Sequence, residues 1–172
     1  MNEKAMHACL EQLAAQLAGQ AARDKKLAVV GIQRRGVFLA ARLAASLEEK
    51  LGHKIPQGIL DINLYRDDWT THGQRAVVGR TALDFDVQGF DLLLVDDVLF
   101  TGRTIRAALE ALVDFGRPNK VALLALIDRG HRELPIQADY VGKALSTNRS
   151  DRVDVLVREL DGRDEVVLRE NT

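Results

Sequence analysis

Apolar positions fall into two patterns that alternate along the chain. Leu10, Leu13, Ala14 and Leu17 recur at helical spacing and predict a helix over residues 4–22. The run Leu27-Ala28-Val29-Val30-Gly31-Ile32 is continuously apolar, which suits a strand covered on both faces. Gln33-Arg34-Arg35-Gly36 interrupts it, and a helix is predicted over 37–50, with Leu39, Arg42, Leu43 and Leu47 in register and Gly52 as its stop. Residues 55–64 read as a second strand. Residues 65–75 have no apolar period and read as a loop, at the mouth of a strand pair that returns through Ala76-Val77-Val78. Residues 91–95 form the clearest buried strand. A helix over 103–115 follows, with Ile105, Leu109 and Leu112 on one face and Gly116 and Pro118 ending it. Residues 121–127 are again a strand. The tail carries alternating strands at 153–157 and 166–168, with Asp161-Gly162 as a hairpin turn between them.

This alternation predicts an α/β fold: an open, mostly parallel sheet flanked by helices, in one domain over residues 1–172. Ligands of such sheets bind at the carboxyl ends of the strands. The polar loops 33–36, 96–104 and 128–132 all follow buried strands, so they should converge on one edge. Composition agrees: of 172 residues, 47% are apolar and only 5% aromatic, enough for one aliphatic core. A net charge of −1 gives no global attraction to nucleic acid, so any such surface must be local. Cys9 is the only cysteine, which excludes an intrachain disulfide and a thiolate zinc site and fits a reducing cytoplasm. No signal peptide or membrane-spanning run is expected.

The chemistry concentrates in Leu92-Leu93-Leu94-Val95-Asp96-Asp97-Val98-Leu99-Phe100-Thr101-Gly102-Arg103-Thr104. A hydrophobic strand delivers two adjacent carboxylates, which accept from vicinal hydroxyls such as those of ribose and face Mg²⁺ directly or through water. Gly102 permits positive φ and close approach of an anion, and Thr101 and Thr104 donate hydroxyl hydrogen bonds. The first amides of the following helix complete a phosphate cradle. No Gly-x-x-x-x-Gly-Lys-Ser/Thr is present and no Gly-x-Gly-x-x-Gly follows a strand, which argues against a P-loop NTPase and a dinucleotide oxidoreductase. A receiver-type phosphoacceptor domain is disfavoured because its acidic pair would end the first strand.

Residues 92–104 resemble the phosphoribosyl-pyrophosphate motif of type I phosphoribosyltransferases. Gly31-Ile32-Gln33-Arg34-Arg35-Gly36-Val37, Asp61-Ile62-Asn63-Leu64-Tyr65-Arg66-Asp67-Asp68, Asp128-Arg129-Gly130-His131-Arg132-Glu133-Leu134-Pro135 and Ala138-Asp139-Tyr140-Val141-Gly142-Lys143 are similar to the PyrR family of pyrimidine-operon regulators and uracil phosphoribosyltransferases.

The resemblance implies a type I phosphoribosyltransferase fold with a small hood from the N- and C-terminal segments, and a flap over about 65–80. It assigns pyrophosphate to Arg34 and Arg35, the ribose hydroxyls and Mg²⁺ to Asp96 and Asp97, and the 5′-phosphate to Thr101, Gly102, Arg103 and Thr104, with Val98, Leu99 and Phe100 in the same motif. Arg66, Arg75 and above all Arg80 are flap candidates for the leaving group. Arg129 and the backbone near Val153 would meet the base. His131 reads as a structural or RNA-contacting residue rather than a catalytic one. The implied substrates are phosphoribosyl pyrophosphate and uracil, with UMP as product and no covalent nucleophile. The implied second partner is a messenger RNA leader, met by Arg132, Lys143 and Arg149 with Arg129 and Arg152 nearby; a homo-oligomer is also implied. Residues 8–22 depart from the family in carrying no basic residue. A purine phosphoribosyltransferase and an RNA-binding attenuator with weak or lost catalysis are the alternatives.

Overall fold

A computed structural model describes residues 1–21, 26–65 and 81–171. The elements in chain order are α1 (Glu3–Ala21), β1 (Leu27–Ile32), α2 (Arg35–Leu51), β2 (Gln57–Leu60), a 3₁₀ turn (Asn63–Tyr65), β3 (Ala82–Leu83), β4 (Asp91–Leu99), α3 (Arg103–Val113), β5 (Lys120–Asp128), β6 (Tyr140–Ala144), β7 (Arg152–Leu156), α4 (Arg158–Asp161) and β8 (Glu165–Arg169). Six strands form one sheet in the order β3-β2-β1-β4-β5-β6. Only β3 runs antiparallel to its neighbour, so the carboxyl ends of β1, β2, β4 and β5 share one edge.

The continuous apolar runs are explained by helices on both faces. Leu93 and Val95 of β4 and Leu124 and Leu126 of β5 pack with Leu10, Leu13 and Leu17 of α1 and Leu39, Leu43 and Leu47 of α2. The intervening Leu92 and Leu94, with Leu123 and Ala125, pack with Ile105, Ala108 and Leu112 of α3. Successive residues therefore face opposite layers, as the pleat requires.

Several elements differ from the sequence reading. β4 does not stop at Val95 but continues through the acidic pair to Leu99, because β5 keeps pairing with it as far as Leu99↔Asp128. The strand predicted over 55–64 is confined to Gln57–Leu60. There the Asp61 carboxylate accepts from the Asn63 amide at 2.9 Å and turns the chain into the 3₁₀ turn. The predicted return through 76–78 lies outside the described residues. β6 was not predicted; it adds in parallel to the outer edge of β5. The tail ribbon pairs β7 with β8 antiparallel, but α4 joins them instead of a two-residue turn. Gly162, at φ +73°, caps α4. The amino terminus zips onto this ribbon: Met1 N donates to Val166 O and Val166 N to Met1 O, both at 2.8 Å. No helix among the described residues is long and apolar enough to cross a membrane.

Candidate active site

The β1–α2 connection is pressed against the end of β4. A Cβ on Gly36 would lie 2.4 Å from the Val95 carbonyl oxygen, and one on Gly31 would lie 2.4 Å from the Val37 Cα. Only glycine lets the Gln33–Arg35 turn sit this close to the acidic pair. The peptide bond between Gln33 and Arg34 is cis. Arg34 is exposed. Arg35 makes a bidentate ion pair with Asp161 of α4, at 3.1 and 2.9 Å. This pair holds the Asp161 carboxyl below the ordinary aspartate range.

Asp96 is buried and Asp97 half-buried. The Asp97 amide donates to Asp96 Oδ1 at 3.0 Å, and the Val98 amide to Asp97 Oδ1 at 2.9 Å. Asp96 lines the cleft on the α3 side. Asp97 does not line the cleft and lies within electrostatic reach of Arg35. Burial pushes the Asp97 carboxyl above the usual range, while a hydrogen bond with Asp96, the Val98 amide and the Arg35 charge act against that rise. Asp96 thus lines the cleft and Asp97 does not, while the two carboxyls stay within hydrogen-bonding reach of each other at the end of β4.

The cleft encloses about 300 Å³ and is lined by Asp96, by Val98 and Leu99, by the turn Phe100–Thr104, by Ile105, and by Glu133 on the loop after β5. Gly102 takes φ +92° and ends the turn where α3 begins. Thr101 Oγ1 accepts from the Arg103 amide at 3.3 Å. The amides of Thr104 and Ile105 belong to the first turn of α3 and have no carbonyl partner within the helix. A strand end, a glycine turn and a helix start therefore form a concave, donor-rich cradle suited to an anion.

The phosphoribosyl transferase domain family matches residues 2–156. The bifunctional protein PyrR of Syntrophobacter fumaroxidans is 51% identical over 168 residues, covering 98% of this chain and 90% of that protein. PyrR of Thermus thermophilus is 50% identical over 168 residues, covering 98% and 93%. The chain belongs to the PyrR family, within the phosphoribosyl transferases. Among solved structures, the hypoxanthine phosphoribosyltransferase of Trypanosoma cruzi superposes with a TM-score of 0.73 over 99% of this chain and 95% of that one, at 17% identity. That likeness concerns the fold: a mostly parallel sheet between helices.

The remaining positions that the PyrR resemblance nominates separate into groups. Arg80, with Arg66 and Arg75, lies outside the described residues. Arg129 is buried, with its guanidinium 4.0 Å over the Phe100 ring, and its Nη2 donates to the Asn148 carbonyl at 2.8 Å. It joins the β4 and β5 loops to segment 147–149, and its Nε has no hydrogen-bond partner. Val153 is packed in the core of the ribbon and does not line the cleft. His131, at φ +60°, donates through Nε2 to the Thr147 carbonyl at 2.8 Å and meets Phe100 edge-on. A carbonyl only accepts, so this bond fixes the protonated nitrogen. Arg132 is consumed internally: it bonds the carbonyls of Phe100, Gly130 and Ile136 and pairs with Asp128. That departs from the expectation of an outward RNA contact. Arg149 pairs with Glu133, and Lys143 is exposed on β6. Cys9 lies on α1, where a Cβ on Gly142 would come 2.7 Å from its Sγ, and it does not line the cleft.

For two residues of this edge, the sequence yields a turn (Asp161) and a family motif (Glu133) but not the pairing each makes. Asp161 fastens Arg35 from 126 positions away. Glu133 reaches Arg103 from 30 positions away, at 2.8 Å. Pairings over such separations leave no periodic trace in a sequence.

Proposed function

We propose that this protein transfers the phosphoribosyl group of phosphoribosyl pyrophosphate to uracil, giving UMP and pyrophosphate, in the cytoplasm. The observation that carries this reading is the spacing of three features along one sheet edge. The 101–104 cradle stands on one side of the β4 end, the Arg34–Arg35 turn on the other, and Asp96 and Asp97 lie between them. A ribose with an anion at each end fits that order. Its 5′-phosphate meets the α3 amides, its hydroxyls reach the carboxylates, and its pyrophosphate meets the arginine turn.

As the anomeric bond breaks, positive charge grows on the ribose ring, and the bonding pair leaves with pyrophosphate. Asp96 and Asp97 hold negative charge beside that ring. Arg34 faces the charge of the leaving group, and Arg35, anchored on Asp161, holds the turn in place. The new bond forms from a uracil nitrogen to the same carbon. Positioning and electrostatics supply the catalysis, and no side-chain nucleophile takes part.

Mg²⁺ fits this donor set in one way. Among the described residues no cluster of three or more His, Cys, Asp or Glu side chains could hold a metal. Mg²⁺ commonly binds through one or two carboxylates plus substrate phosphates and water. Asp96 and Asp97 are the residues that would hold it, directly or through water. When bound it would neutralise charge on the departing pyrophosphate.

The choice of uracil over a purine rests on the relatives at about half identity, which are PyrR proteins. Purified protein given phosphoribosyl pyrophosphate, Mg²⁺ and equal uracil and hypoxanthine should form UMP. Accumulation of IMP with uracil untouched would overturn the reading.

A second activity, UMP-dependent binding to a pyrimidine-operon leader RNA, accords with relatives named bifunctional. Lys143 is the nominated cation best placed for it; Arg132 and Arg149 would first have to surrender internal bonds. Filter binding with the leader should show salt-sensitive retention that rises with UMP.

A further inference from the structure

Glu133 stands in the wall of the cleft, opposite the phosphate cradle. Its backbone is fixed, since its amide donates to the Thr101 carbonyl at 2.9 Å. Its side chain bridges two cations. Oε2 accepts from Arg103 Nε at 2.8 Å, and Oε1 accepts from Arg149 Nη2. Arg103 is the first residue of α3, inside the cradle. Arg149 is not among the cleft-lining residues, and its side chain is 62% exposed. The hydrogen bond from Arg103, then that from Arg149, holds the Glu133 carboxyl below the ordinary glutamate range. A carboxylate therefore already holds, across the cleft from the cradle, a cation that a phosphate would use.

Two anions cannot both take the Arg103 Nε–H, and they repel each other across the cleft. We infer that Glu133 is a tethered counterion that competes with the ligand's phosphate for Arg103, and that Arg149 sets from outside the cleft how strongly it competes. This rests on the reading of residues 101–104 as a phosphate cradle. Because the fixed backbone keeps the carboxylate close, it returns to Arg103 whenever the phosphate departs. Ligands that bring only a phosphate are held off, while a nucleotide adds ribose and base contacts and overcomes the competition. The Arg149 pairing restrains Glu133 by sharing its charge. Without Arg149, the carboxylate belongs to Arg103 alone.

Exposed ion pairs are individually weak, so the effect is a tuning of affinity rather than its creation. The test is calorimetry of the full chain with UMP and with uridine, in the unaltered protein, Glu133→Gln, Arg149→Gln and the double variant. Glu133→Gln should bind UMP roughly twofold to fivefold more tightly and uridine unchanged. Arg149→Gln should bind UMP more weakly by roughly twofold to fivefold. The double variant should match Glu133→Gln, because Arg149 acts only through Glu133. No gain in UMP affinity for Glu133→Gln, or an equal change for uridine, overturns the inference. So does additivity in the double variant, which would mark a simple long-range field. If the unaltered protein binds UMP no better than uridine, the cradle reading itself fails, and that result is distinct from the others.

Discussion

Asp97→Asn is expected to lower kcat by at least about a hundredfold while leaving the fold as stable as before or more stable, since removing a preorganised charge from a reacting centre typically has that magnitude. The carboxylate lies at the end of β4 between the phosphate cradle and the arginine turn, where the ribose ring would carry its developing charge. Asparagine keeps the carbonyl that accepts from the Val98 amide at 2.9 Å, so the strand end is preserved. It discards a negative charge that burial already disfavours. Steady-state kinetics and thermal unfolding on the same preparation separate the two effects. Undiminished turnover would refute the ribose assignment.

The pH dependence carries the same sign. In the proposed reaction Asp97 works ionised, and burial raises its carboxyl. The acid limb of kcat/KM should therefore lie above the value of an ordinary aspartate, about 3.9, and should vanish in Asp97→Asn. For stability the direction is opposite. A carboxyl raised in the folded state contributes favourably at low pH, and that contribution is lost as pH rises through the folded value.

Gly102→Val is expected to weaken UMP binding by roughly a hundredfold or more, about the loss of two charge-assisted hydrogen bonds. Gly102 sits at φ +92°, a conformation closed to a β-branched residue. A Cβ there would already be in van der Waals contact with the Ile136 Cβ at 3.4 Å and the Leu134 Cβ at 3.5 Å, so the valine methyls would add to a site whose main strain is its backbone. The turn must deform, and the α3 amides then no longer converge on one point. Backbone strain of this kind costs about 1–3 kcal/mol, so a modest fall in unfolding temperature should accompany the loss. Uridine, which brings no phosphate, should bind as before; equal losses for both ligands would place the phosphate elsewhere.

The sheet was legible where single residues report burial. The runs 92–95 and 121–127 are apolar at every position, and a strand covered by helices on both faces is what such runs build. The cradle was legible because Gly102 and the helix start are local features. The extension of β4 to Leu99 was hidden. Asp96 and Asp97 break the apolar run, and only the pairing with β5 keeps the backbone extended. β6 was hidden because Tyr-Val-Gly-Lys-Ala is short, mixed in polarity and half-covered at a sheet edge. That only Asp96 of the pair lines the cleft was equally hidden, since it depends on that unseen extension. The ion pairs that fasten Arg35 to Asp161 and Arg103 to Glu133 join distant segments, and composition carries no record of them.

The most direct measurement is a crystal structure of the protein grown with UMP. The 5′-phosphate should lie on the amides of the Thr101–Ile105 turn, with the ribose hydroxyls within hydrogen-bond distance of Asp96 and Asp97. Nucleotide bound elsewhere, with this turn empty and both carboxylates turned away from it, would overturn the ribose-phosphate assignment of this edge.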